Sequence, residues 1–250
     1  MPDIFFGQNA EFKLISKSHG AFSLGFVESF EVDPSHANKR LYFFNKKEAL
    51  PITIFEGVNG RFGYLETEER LFLAAVMDVD PSSDMINDDP SAYIDFHGLL
   101  NCRNEYGVIK NGIFVKMMRI SGVPESMTPR EEQHSQVGFI GSTRYKVKGG
   151  GILYSRVLAA TPDPSVYLSP DDTNFDGTGK VTLTKLPVSI NIKDRITTRP
   201  WLAIYKNGED QTLSQETNPT ITFDTLTGVV DLGAAPLATD VWEFYTPFKS

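Results

Sequence analysis

Cysteine is almost missing from this chain: Cys102 stands alone among 250 residues. One thiol closes no internal disulfide, so buried apolar surface must hold the fold, and the usage fits a reducing compartment. Long hydrophobic runs are missing too. The longest uninterrupted apolar stretch, residues 71–77, falls far short of the roughly 20 residues that cross a bilayer as a helix. The start, Met-Pro-Asp, has neither the basic nor the apolar stretch of a secretory signal, so none is expected. Positive charge is scarce. With 24 Lys and Arg against 32 Asp and Glu, the net charge is −8, the opposite of the basic footprint that tight nucleic-acid binding needs. A surface of that sign suits a polyanion that must slide past without sticking.

Catalytic constellations are also lacking. His19, His36, His97 and His134 are scattered, and none has a partner at metal-ligand spacing. Ala21-Phe-Ser23-Leu-Gly25 has the letters of a nucleophile elbow, but strand alternation runs on through Ser23 and no helix follows. Glu131-Glu132 and Asp88-Asp89 are adjacent pairs, which point apart in an extended chain and make poor acid–base dyads. Gly177-Thr-Gly179-Lys180 lacks the spacing and the hydroxyl of a phosphate loop. Asp172-Thr-Asn174-Phe-Asp176-Gly177 begins as a calcium loop begins. Leu183 then stands where a bidentate Glu belongs, and Lys180 adds a repelling charge, so the stretch reads as an Asx-rich turn. The expectation is a protein that is not an enzyme, with no cofactor and no metal.

What is abundant is aromatic, strand-forming sequence, with 18 Phe and 9 Tyr. Phe12 and Leu14 alternate with charged neighbours, as do Phe22, Leu24 and Phe26 with small or apolar ones, and short runs at 30–32 and 41–44 continue the pattern. Residues 52–58, Asn59-Gly60 and residues 61–65 read as a two-residue hairpin, with Phe55 opposite Tyr64 and Ile54 opposite Leu65. One helix is predicted over residues 68–77, capped by Thr67, with Glu68 and Glu69 at its positive end and Pro81 beyond it. Residues 78–90 read as an acidic loop, and residues 97–105 as either a loop or a short helix.

Residues 107–157 are the most informative stretch. Residues 112–120 are apolar on both faces, whereas Thr143, Tyr145 and Val147 alternate with Arg144, Lys146 and Lys148. Between them lies an acidic insert over residues 123–136, with Pro124, Glu125, Arg130, Glu131, Glu132 and His134. A loop of that length is functional or disordered, and here it is expected to reach a neighbouring subunit. The row Arg144, Lys146, Lys148 reads as a solvated strand face or as an edge that salt-bridges to an acidic neighbour. Gly149-Gly-Gly151 reads as a flexible hairpin. Thr161-Pro-Asp-Pro164 marks a boundary near residue 160. Beyond it, seven short apolar runs (166–168, 180–183, 188–192, 201–205, 220–223, 229–232 and 241–245) are punctuated by Asn207-Gly208 and Thr227-Gly228, the pattern of a small β-sandwich.

The order of elements over roughly residues 1–157 resembles the tail tube proteins of long-tailed bacteriophages. The resemblance rests on the N-terminal strands, the Asn-Gly hairpin, the helix 68–77 and the paired strands 112–124 and 138–154 joined by a long loop. It implies two packed sheets with one flanking helix, six such domains closed into a ring, and rings stacked into a tube lined by a continuous β-barrel. The implied setting is the tail of a virion, assembled in the host cytoplasm. The implied partners are other copies of the chain, other tail proteins, and double-stranded DNA in transit without specific binding, with no membrane. The expected fold class is therefore mainly β: a tail-tube-like sandwich or barrel with one helix over residues 1–160, and a small Ig-like β-sandwich over residues 161–250. The competing reading is a virion surface, decoration or adhesion protein that binds host carbohydrate on an aromatic platform of Trp201, Trp242 and Tyr245.

Overall fold

A computed structural model describes residues 10–16, 20–23, 26–41, 50–65, 76–77, 79, 93–122, 134–158, 172–174, 178–186, 189–190, 199–200, 203–211, 221–224 and 226–249. Within them the chain is mainly β, as its alternation implies. The helix expected over residues 68–77 lies outside the described residues except for Val76 and Met77, which are helical. The first nine strands are β1 (Ala10–Ser16), β2 (Gly20–Ser23), β3 (Phe26–Leu41), β4 (Leu50–Leu65), β5 (Asp95–Arg103), β6 (Ile109–Gly122), β7 (His134–Gly141), β8 (Thr143–Lys148) and β9 (Gly150–Leu158). Nine shorter or later ones follow: β10 (Asp172–Asn174), β11 (Lys180–Thr182), β12 (Ser189–Ile190), β13 (Arg199–Pro200), β14 (Ala203–Lys206), β15 (Glu209–Asp210), β16 (Thr222–Asp224), β17 (Val229–Asp231) and β18 (Val241–Lys249).

Contacts divide the chain into two units. Unit 1 holds Met1–Ser23, Leu99–Ile113 and Lys146–Ser250, and unit 2 holds Leu24–Gly98 and Phe114–Tyr145. β9 and β18 pair along their full length, from Gly150↔Lys249 to Leu158↔Val241, so the last strand is stitched to one that precedes the Pro-rich break.

Unit 2 is built on the antiparallel order β6-β7-β4-β3. Phe62, Met118, Ile120, Val137 and Phe139 are buried, and the Phe139 ring lies 5.9 Å from that of Phe30 and 6.1 Å from that of Phe62. On the solvent side, Arg119, Ile140, Asn59 and Asp33 align across four strands, and beside them Arg61 meets Glu31 at 2.6 Å. The expected Asn59-Gly60 hairpin is not there. β4 runs straight through both residues, pairing Asn59 with Asp33 and Gly60 with Val32, so Phe55, Ile54, Tyr64 and Leu65 share one strand. A Cβ on Gly60 would run into the Phe139 ring and the Glu31 carbonyl oxygen. The glycine serves close packing, not a turn.

Unit 1 contains a two-layer sandwich. One sheet has the order β10-β9-β18-β14-β15, the other β11-β17-β16. Between them Val157, Ile204, Trp242 and Phe244 meet Val181, Ile221 and Val230. Each large side chain so buried contributes about 1.5–3 kcal/mol. Asn207-Gly208 is the tight turn its sequence predicts: both residues have positive φ (51° and 80°), and β14 folds back onto β15. Asn207 also fastens the turn to β18, since its Oδ1 accepts the Val241 N–H at 2.9 Å. Residues 166–168 lie outside the described residues, and the other expected runs each hold a strand.

Two further expectations change. Asp172–Asn174 is not a turn but the strand β10, which runs parallel to β9 with Asp172 opposite Arg156. Gly149-Gly-Gly151 does not join a hairpin either, since β8 pairs with β6 while β9 pairs with β18 and β10. Gly151 is needed because a Cβ there would press on Ile109 and Asn101. Asn101 lies alongside β9 as a substitute strand: its Nδ2 donates to the Ile152 carbonyl at 2.9 Å and its Oδ1 accepts the Ile152 N–H at 3.0 Å.

Candidate assembly surface

Unit 2 carries a long ribbon. β3 and β4 pair from Phe26↔Leu65 to Leu41↔Leu50, but β7 covers β4 only from Val58 to Leu65. The remaining half, residues 35–41 with 50–57, is two-stranded among the described residues. It leaves the sheet at a bulge between Ser35 and His36, where Gly57 takes φ +128°. Pro34 and Pro51 fit this placement, because a residue without an N–H is tolerated where a strand is open on one side. β3 ends the described strand order, so its outer edge has no strand partner among the described residues.

The basic row divides. Arg144 is half-buried and its Nη1 donates to the Val32 carbonyl of β3 at 2.6 Å, so it satisfies a backbone acceptor of its own chain. Lys146 and Lys148 are exposed on either side of buried Val147, as the alternation predicts. Of the loop residues, His134 opens β7 opposite Leu65 and so lies within a strand. Pro124, Glu125, Arg130, Glu131 and Glu132 lie outside the described residues.

β6 is less uniformly buried than its composition suggests. Phe114, Val115, Met118 and Ile120 are buried, whereas Met117, Arg119 and Ser121 face solvent. The change of phase comes at Met117, a non-glycine residue with φ +51°. There the Ser142 N–H and hydroxyl both donate to the Lys116 carbonyl, at 2.9 and 3.0 Å, where β7 gives way to β8. Across from it, His97 is buried in β5, and its Nδ1 accepts the Met117 N–H at 3.2 Å. Local sequence carries no sign of this: residues 95–103 lack alternation because Phe96 to Asn101 are buried on both faces, and they are a strand rather than a loop or helix.

Other candidate chemistry is weak. Burial pushes the Cys102 thiol up, against the opposing pull of Lys146, so it is poorly suited to nucleophilic work. No group of three or more His, Cys, Asp or Glu converges among the described residues. A cavity of about 490 Å³ in unit 1 is bordered by Glu11, Lys13, Arg103 and Lys185, with Glu11 already engaged by Arg103 at 3.2 Å and Lys13 at 3.5 Å. The aromatic platform fails: Trp242 and Tyr245 are buried, Trp242 in the sandwich core, and Trp201 lies outside the described residues.

No protein-family model matches the sequence, and no curated protein matches it. Among solved structures, the sheath–tube complex of the PVC extracellular contractile injection system is similar over 58% of this chain and 92% of that one, with 7% identity and a TM-score of 0.42. The tube-terminating cap of the anti-feeding prophage is similar over 59% and 93%, at 6% identity and TM-score 0.41. Hcp1 from Salmonella typhimurium is similar over 56% and 87%, at 10% identity and TM-score 0.34. At these values the likeness carries no functional argument.

Proposed function

We propose that this chain is a structural subunit that assembles with its own copies into hexameric rings, and that the rings stack into the tail tube of a long-tailed phage. The observation that carries this reading is the β3–β4 ribbon. A two-stranded ribbon is marginal in water by itself, and a long open edge invites pairing. An adjoining copy supplies the cover that the described residues of one chain do not. Rings need two different complementary surfaces on each subunit. The β3 edge with Asp33, beside a Glu31 already held by Arg61, is one, and the exposed Lys146 and Lys148 are the other, opposite in charge to Asp33. Other tail proteins are the further partners, and double-stranded DNA passes through a lumen to which the chain's net charge of −8 gives no affinity.

Negative-stain microscopy and sedimentation of the full chain test the reading. Rings or tubes are expected, and the paired change Lys146→Glu and Lys148→Glu is expected to leave a folded chain that no longer forms them. A wild-type chain that stays monomeric at high concentration overturns it.

A further inference from the structure

We propose that His97 is an acid-sensitive latch on the backbone of β6. Met117 sits in the left-handed region, φ +51°, which strains a non-glycine residue because its Cβ crowds the following carbonyl. Its side chain is exposed, so burial of that side chain does not offset the strain. What fixes the conformation is a set of hydrogen bonds around one peptide: Met117 N–H to His97 Nδ1 at 3.2 Å, and the two Ser142 donors on the Lys116 carbonyl. The imidazole has little freedom to turn away, being buried and 5.5 Å from the Phe114 ring, which in turn stacks 6.2 Å from Tyr145.

An imidazole that accepts at Nδ1 carries its proton on Nε2. A second proton can only go to Nδ1, which then turns a donor toward a donor. The latch is therefore closed while His97 is neutral and opens as the pH falls through its titration. Among the described residues Asp95 is the one carboxylate on β5, β6 and β8, and Arg119 holds it at 2.8 Å, while Glu11 of β1, the other neighbour of β5, is engaged by Arg103 at 3.2 Å and Lys13 at 3.5 Å. Lys116 and Arg119 of β6 are cations, Tyr145 of β8 is neutral, and Arg144 of β8 is bonded to Val32. Once opened, Met117 is free to leave the left-handed region, and the point where β6 exchanges β7 for β8 as its partner loses its geometry. The device belongs to the single chain and does not depend on ring formation.

The test is an NMR titration of the full chain from pH 7.5 to 5.0, following the His97 ring nitrogens, the Met117 Cα shift and the Met117 amide protection. Protection at Met117 is expected to fall about tenfold, as loss of one part-buried hydrogen bond implies, with the Met117 shift following the same midpoint as the His97 ring. His97→Gln keeps an acceptor that does not titrate and should abolish the pH response. Unchanged Met117 signals across the range, a midpoint different from that of the ring, or an equal response in His97→Gln each overturn the proposal. If His97→Gln does not fold, the wild-type midpoints alone decide it.

Discussion

The ring of Phe139 lies against the backbone of Gly60, one strand away, so closely that position 60 has no room for a Cβ. Replacing Gly60 with Ala is expected to destabilise the chain by about 1–3 kcal/mol, the usual cost of overpacking a core, because the Glu31 carbonyl on the other side is backbone and cannot swing away. Asn59 is exposed in mid-strand, so Asn59→Ala should change stability by less than about 0.5 kcal/mol. Urea unfolding of both variants separates this arrangement from a hairpin turn, in which Asn59 would be the costly position.

Asp240 ties the sandwich together at its edge. It accepts from the Leu237 amide at 2.8 Å, from Lys206 at 3.1 Å and from Asn207 at 3.3 Å. Burial pushes its carboxyl up, but these donors together outweigh burial and hold it below the usual range. A carboxyl whose folded value lies below its unfolded value stabilises the fold fully above the unfolded value, about 3.9, and that stability is lost as the pH falls through the folded value. Thermal melts should therefore show a loss that sets in as the pH falls below about 3.9 and deepens on further acidification. Asp240→Asn should flatten that loss and lower stability at pH 7 by about 1–3 kcal/mol.

A chain ended after residue 160 is expected to be insoluble. It would lose β18, the partner of β9 along its whole length, and would bare Val157 and Tyr154, which are buried in the full chain. Recovery of that fragment as a soluble, folded protein with native-like circular dichroism would show that β9 does not need β18.

Replacing residues 124–133 with a short Gly/Ser turn is expected to abolish rings while preserving the fold. The insert is acidic, long and flanked by β6 and β7, whose pairing at Arg119↔Ile140 does not involve it. Gel filtration and microscopy of that variant, beside its melting temperature, give the answer. Normal rings would mean that the loop makes no essential contact between subunits.

The sequence by itself determined the mainly β class, the exposure of Lys146 and Lys148 about buried Val147, the strands of the sandwich and the Asn207-Gly208 turn. Each depends on neighbours a few residues away: a period of two, or two adjacent positive φ angles, is written locally. The same Asn-Gly pair at 59–60 became mid-strand because β3 and β7 flank it and Phe139 covers it, partners that begin tens of residues away. Tertiary structure alone decided that β9 pairs with β18, that Arg144 serves the Val32 carbonyl, and that His97 holds the Met117 N–H. Those contacts join residues 20 to 112 positions apart, and local periodicity carries no record of which strands will meet.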